Sequence, residues 1–236
     1  MQGQTARQFE DRAAGLWSQA VLTPPDHVMR FALNAVTDTL PHNANLHLWG
    51  KKPSSGCQLC PERQTLQHVL NHCSVALERR RYNQRHDDVL RSLFKFISSH
   101  LQPGHQVTAD LPGEHCCFPQ DVATTDSRPD IVIWSDQSII LVELTIPFEP
   151  GMDAAAERKQ AKYADLLARC RTICHSHFIT IEVGSRGFIN ATSFDKLYSQ
   201  LFSSKQSERQ ELEAEITRNV IARSHDIWWQ RNWLGC

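Results

Sequence analysis

The chain has 236 residues, 41 % of them hydrophobic and 22 % charged, which is enough apolar material for a true core in one or two domains. A formal net charge of −1 excludes a protein coated in basic charge, but it leaves room for a local basic patch on nucleic acid. No apolar run approaches the ~20 residues that cross a bilayer, and the first residues lack a charged-then-apolar leader, so an intracellular protein with no membrane partner is expected.

Residues 1–46 read as a helical segment, with apolar positions at Phe9, Ala13, Leu16, Trp17 and Ala20. Pro24-Pro25 breaks that pattern, and a second helical run follows from Asp26 to about Thr39. Residues 47–75 form a short Cys/His-bearing unit punctuated by Pro53, Ser54, Ser55 and Gly56. Residues 76–204 read as a long helix, strands, another helix and a strand, which is an α/β order. Residues 205–236 form a charged helical tail ending in Trp228, Trp229 and Trp233.

The long helix is expected from Ala76 to His100, with an apolar stripe through Leu77, Tyr82, Val89, Leu90, Leu93, Phe94 and Ile97. Arg79, Arg80, Arg81 and Arg85 cluster in its first half. They read either as a solvated helix face or as a patch that neutralises backbone phosphates, with Arg80, Arg81 and Arg85 as the nucleic-acid contacts. Gln102 to Ser127 reads as a long loop holding an irregular strand at His105–Ala109.

Cys57, Cys60, His68 and Cys73 form C-x2-C-x7-H-x4-C. In a reduced compartment, clustered cysteines read as metal ligands rather than disulfides. The two-residue gap turns both thiolates toward one ion, and four N/S donors close a tetrahedral zinc site with no open position, so a structural role is expected. His72 competes with His68, but its gap to Cys73 is too short to make it the better ligand. Cys170, Cys174, His175 and His177 read as buried thiols and surface histidines rather than as a second metal site. His115-Cys116-Cys117 reads as a non-functional loop.

The most informative stretch runs from Arg128 to Thr145. Two β-rich runs, 131–134 and 139–144, flank the polar turn Ser135–Ser138, which is a hairpin signal. With Asp136 and Gln137 at the turn, Trp134 pairs with Ile139 and Asp130 with Glu143. Directly opposed residues share a face with Cβ atoms ~4.5–5.5 Å apart, so the open end of the hairpin brings two acids together. Like charges there repel unless a cation intervenes, and Mg²⁺ or Mn²⁺ takes hard carboxylate oxygens of this kind. Val132, Trp134, Ile139 and Leu141 make one apolar face; Ile131, Ile133, Ile140, Val142 and Leu144 make the other. A strand apolar on both faces lies between layers. A helix capped by Asp153 is expected over Ala154–Arg169, with Lys159 and Tyr163 one turn apart on a shared face and Lys162 beside them. A last strand is expected at Phe178–Val183.

In order and spacing, these elements resemble the C-terminal region of a non-LTR retrotransposon polyprotein of the type that uses a restriction-like endonuclease. The matching segments are the CCHC unit, Tyr82-Asn-Gln-Arg85-His86-Asp87, Arg128-Pro129-Asp130, Glu143-Leu-Thr145 and Arg158-Lys159-Gln-Ala-Lys162-Tyr163. Leu40–Leu46 and Glu182–Phe188 are similar too, so the resemblance covers nearly the whole chain. It implies a PD-(D/E)XK fold and an enzyme that nicks target DNA to prime reverse transcription in the nucleus, with DNA and the element's RNA as partners. It also implies that Asp130 and Glu143 hold a catalytic Mg²⁺ or Mn²⁺ and that Lys159 and Tyr163 complete the site; Lys162, beside them on the helix, reads as a phosphate contact. Thr145 stands where the broader restriction-enzyme motif has lysine, so the lysine must come from the helix. The chain carries no reverse-transcriptase motif, and a fragment or derivative of such an element is therefore expected. The alternative is a non-catalytic, zinc-dependent nucleic-acid binder of the same origin.

Overall fold

The computed structural model describes residues 11–113, 118–119, 125–201 and 204–233. Phe9 and the His115-Cys116-Cys117 triplet lie outside them. The β-rich runs on either side of Ser135–Ser138 form β2 (Ile131–Trp134) and β3 (Ser138–Thr145). They pair antiparallel with Trp134 opposite Ile139 and Ile131 opposite Val142, and the Ser135 N–H donates to the Ser138 carbonyl across the turn. This is the register read from the sequence. β1 (Gln106–Ala109) adds antiparallel to β2, and β4 (His175–Glu182) adds parallel to β3, giving a four-stranded mixed sheet in the order β1-β2-β3-β4.

The helices are α1 (Asp11–Ala20), α2 (Asp26–Val36), α3 (Asn43–Leu48), α4 (Ser74–Glu78), α5 (Asn83–Ser99), α6 (Met152–Arg171), α7 (Ala191–Gln200) and α8 (Gln206–Trp229). A parallel pair needs a crossover, and α6 supplies it between β3 and β4. Ile131, Ile133, Ile140, Val142 and Leu144 are buried with Val89, Leu93 and Ile97 of α5, Phe194 of α7 and Ile216 of α8. Val132, Ile139 and Leu141 are buried on the opposite face with Tyr163, Leu166 and Cys170 of α6. The two faces therefore divide as the alternation dictates. Each of these aliphatic side chains contributes ~1.5–3 kcal/mol on burial, so a one-residue slip of either strand would be prohibitive.

Four expectations need correction. The long helix is broken: α4 ends in a Schellman turn, with Arg81 N–H donating to the Ala76 carbonyl and Arg80 N–H to the Leu77 carbonyl. Arg80 occupies the left-handed position at φ 55°, which the absence of glycine there concealed. Leu77 is consequently exposed rather than part of an apolar stripe. Asp153 lies inside the first turn of α6, where its charge favours the helix dipole, while Gly151 holds the cap position. The last strand starts earlier than expected, at His175, because its pairing with β3 extends to Ser138. Finally, the charged tail is an interior helix: Leu212, Ile216, Val220 and Ile221 of α8 are buried, and α8 packs on α1, α2 and α5. No described helix is long and apolar enough to cross a membrane.

The loop after β4 joins these layers. The Arg186 backbone N–H and Nε each donate to the Glu149 carboxylate at 2.7 Å, with both side chains buried. The guanidinium also lies over the Phe148 ring at 4.3 Å. From α1, the Trp17 indole donates to the Arg186 carbonyl and stacks on Phe188 with centroids 5.1 Å apart. From α8, Ser224 Oγ donates to the Ser185 carbonyl and accepts from Arg85 of α5. Gly184 is required here, since a Cβ would stand 2.3 Å from the Glu149 carboxylate. Gly184→Ala should push Glu149 off Arg186 and strand a buried guanidinium. Breaking such a pair costs about 3–5 kcal/mol, and a loss of that order is expected in urea denaturation. A variant within about 0.5 kcal/mol of wild type, the usual range for an inconsequential surface change, would show that the contact is dispensable.

Candidate functional site

The four expected zinc ligands converge. One donor atom from each of Cys57, Cys60, His68 and Cys73 lies within 4.8 Å of the others. A bridge between Gly56 and Arg63, with the Cys57 N–H donating to the Glu62 carbonyl, folds the C-x2-C segment into a tight knuckle. A single π-helical turn, His68–His72, then turns His68 inward, its Nε2 3.3 Å from Cys60 Sγ, and leaves His72 exposed. Cys73 follows in extended conformation. Burial pushes its thiol up to about 11; a zinc ion binds thiolate and would supply the charge that keeps it ionised. The cluster thus has the chemistry and spacing for a metal such as zinc. Tyr82 supports it, accepting from the Cys73 N–H and donating to the Val69 carbonyl at 3.1 Å each. Fully buried Gln64 accepts from Asn43 N–H and donates to Asn232, tying the unit to α3 and to the chain after α8.

At the open end of the β2–β3 hairpin, Asp130 and Glu143 lock each other's strands. The Asp130 N–H donates to Glu143 Oε1 at 3.1 Å, and the Leu144 N–H donates to Asp130 Oδ2 at 2.8 Å. From α6, Lys159 Nζ reaches Glu143 Oε2 at 2.5 Å and lies 3.9 Å from Asp130 Oδ2. Glu143 is fully buried, and Lys159 is 28 % exposed in its side chain. Burial, then the Asp130 charge, raises the Glu143 carboxyl above its usual range despite Lys159. Burial acts on Asp130 in the same sense, but His86 and Lys159 outweigh it and hold Asp130 below its usual range. The two acids are therefore driven apart, as expected when like charges share a site.

Tyr163 is 1 % exposed and sits behind the acids. It donates to the Arg128 carbonyl at 2.8 Å and accepts from Lys162 Nζ at 2.9 Å. Burial and the Glu143 charge push its phenol far above the ordinary range, so it stays a protonated donor that anchors the turn carrying Asp130. Lys162 is exposed on the outer side of that phenol, over its ring at 4.5 Å.

Asp130 also forms part of the wall of a polar cleft of about 780 Å³. Asn71 of the Cys/His unit, Arg80, His86 at the start of α5, and Arg128 line other sides of it. Sequence reasoning missed His86, whose Nε2 lies 3.4 Å from Asp130 Oδ2 and whose Nδ1 lies 3.5 Å from Asp87. Burial alone would lower its pKa, but the contact with Asp130 raises it instead. Its only sequence signal was its place in the Tyr82–Asp87 segment, because nothing local shows that α5 docks beside β2. Asn71 was missed as well; it donates to the Ile146 carbonyl at 2.8 Å and so ties the Cys/His unit to the end of β3.

The expected arginine patch is not one surface. Arg85 is 2 % exposed, and its two Nη atoms donate to Ser224 and to the Leu70 carbonyl, so it braces α5 against α8 rather than meeting phosphate. Arg81 turns away to the Gln230 and Trp233 carbonyls. Arg80 alone of the three is both exposed and part of the cleft lining. No protein-family model matches the chain, and no curated protein matches it.

Purified protein should carry about one zinc per chain. Removing a structural ion removes folding energy of several kcal/mol, so Cys60→Ser or a strong chelator should lower the melting temperature markedly. Well-folded protein with no zinc by elemental analysis would refute the assignment.

Proposed function

We propose that the chain is a divalent-metal-dependent DNA endonuclease with a PD-(D/E)XK core, a fragment or derivative of a non-LTR retrotransposon polyprotein that nicks target DNA. The observation that carries this reading is the meeting of Asp130, Glu143 and Lys159, drawn from two strands and a helix, beside a polar cleft. A hairpin has no structural need for two acids at its open end, and a buried lysine–carboxylate contact costs desolvation that a packed apolar residue would avoid.

The donor set fits Mg²⁺ or Mn²⁺. Each acid has one oxygen fixed by a backbone N–H, Glu143 Oε1 and Asp130 Oδ2, which preorganises the pair. Asp130 Oδ1 and Glu143 Oε2 are the hard oxygens without a backbone donor; Asp130 borders the cleft, while Glu143 is fully buried with its Oε2 on Lys159 Nζ. Such an ion supplies Lewis-acid polarisation of the scissile phosphate and makes water more acidic. Lys159 Nζ stands on Glu143 Oε2; with an ion held by the acids, its ammonium would be available to offset charge on the phosphate in the transition state. Tyr163 holds the Asp130 turn in place, His86 braces Asp130 from α5, and Arg80 is placed to take a backbone phosphate. The retrotransposon assignment rests on the resemblance alone. It brings with it DNA and element RNA as partners and a nuclear location.

Supercoiled plasmid with Mg²⁺ or Mn²⁺ should be nicked by the wild type and not by Asp130→Asn. Lys159→Ala should lower turnover at saturating DNA by ~10²–10³-fold with little change in DNA affinity. Lys162→Ala should instead weaken binding and reduce its salt slope by about one. Folded, zinc-loaded wild type that binds DNA but never nicks it would replace the enzyme with a non-catalytic binder. A Lys159→Ala protein cutting at wild-type speed would remove Lys159 from the chemistry.

Lys159 and an ion compete for Glu143 Oε2, so Lys159→Met should bind Mn²⁺ at the acids at least as tightly as wild type while losing turnover. Weaker Mn²⁺ binding by calorimetry would show that Lys159 organises the ion site rather than competing for it.

A further inference from the structure

The turn end of the sheet carries a second cleft, of about 330 Å³. It adjoins Ser138, five residues along β3 from Glu143, so at ~3.3 Å per residue it lies roughly 16 Å from the acids. Three histidines line it: His105, just before β1, and His175 and His177 of β4. Residues two apart on a strand point to one face, and the parallel register sets His175 beside Ser138 and His177 beside Ile140. Their rings meet edge to face with centroids 4.5 Å apart. Packing does not account for them, since His175 is exposed and His177 only half-buried. Cys174 and Ser176 alternate onto the α6 face, where Cys174 and Cys170 pack with the apolar cluster.

His105 lies across the cleft, just before β1 at the other edge of the sheet. Its Nε2 lies 3.4 Å from Ser138 Oγ, at the long limit of a hydrogen bond. Its buried Nδ1 has no partner among the described residues. An imidazole whose Nε2 is held this weakly can exchange that contact for a stronger one.

We propose that His175 and His177 form a chelating site for a divalent transition metal, with His105 as its third ligand, independent of both the cysteine cluster and the acid site. Imidazole nitrogen suits zinc, nickel and copper, whereas magnesium and calcium want oxygen. The β4 rings are adjacent, whereas His105 does not converge with them and must give up its contact with Ser138 to join. At the mouth of an open cleft, water completes the coordination, so the ion would be exchangeable, unlike one in the enclosed cysteine cluster.

The test is calorimetric titration of the zinc-loaded full chain with Ni²⁺, followed by NMR of the histidine side chains. The wild type should take up one Ni²⁺ beyond its bound zinc. Paramagnetic broadening should fall first on His175, His177 and His105. Single substitutions His175→Ala and His177→Ala should each weaken Ni²⁺ at least ~10-fold, the lower bound for losing even a supporting residue, and His105→Ala should weaken it less. Zinc content and the melting temperature of the zinc-loaded protein should not change, since the β4 histidines are at the surface. No Ni²⁺ uptake, unaltered uptake by the His175→Ala/His177→Ala double variant, or broadening confined to other histidines would overturn the site.

Discussion

The buried contact between Glu149 and Arg186 is the constraint on which the rest of the architecture depends. Glu149 follows β3 and Arg186 follows β4, so their pairing fixes how the chain leaves these two parallel strands on the side where the acids lie. Around it gather α1 through Trp17, α2 through the Ala35 carbonyl, and α8 and α5 through the Ser185–Ser224–Arg85 relay. An ion pair is a poor source of net stability when buried, because desolvation cancels much of the attraction. Its value here is geometric. The guanidinium fork and two backbone groups accept only one arrangement of four helices, and a close-packed apolar contact alone would tolerate more.

That arrangement gives the acid site its rigidity. Asp130 and Glu143 are held by backbone N–H groups of the partner strand, so their positions follow from the hairpin register and not from flexible side chains. α6 spans the crossover from β3 to β4, which delivers Lys159 to the same end of the sheet while Tyr163, one turn on, fills the layer beneath. The helix that a parallel pair requires thus also carries the cation that the acids require. Opposed shifts of the two carboxyls leave Asp130 ionised and facing the cleft while Glu143 shares its charge with Lys159.

The Cys/His unit is more than an appendage. Asn71 bonds to the β3 end at Ile146 and borders the cleft, and Tyr82 links the Cys73 backbone to the helix turn from which Arg80 enters it. An ion in the cysteine cluster would stiffen one wall of the acid site without touching its chemistry. The strained left-handed Arg80 is consistent with that role: a conformation costing ~1–2 kcal/mol persists only where its surroundings impose it.

What the sequence determined by itself was whatever short-range periodicity encodes. The hairpin register, the division of β2 and β3 into two apolar faces, and the convergence of Cys57, Cys60, His68 and Cys73 all follow from alternation and ligand spacing within a few tens of residues. Only the tertiary structure decided the fates of residues whose partners are distant in the chain. Arg85 looked like a surface cation until α8 covered it, 139 positions away. His86 gained meaning only when α5 came to lie beside β2. The charged pattern of α8 hid a buried stripe, because a helix enclosed by α1, α2 and α5 on several sides no longer shows one clean apolar face. The break at Arg80 was hidden for a related reason: a non-glycine residue adopts φ 55° only when tertiary contacts hold it there, and no local propensity records that force.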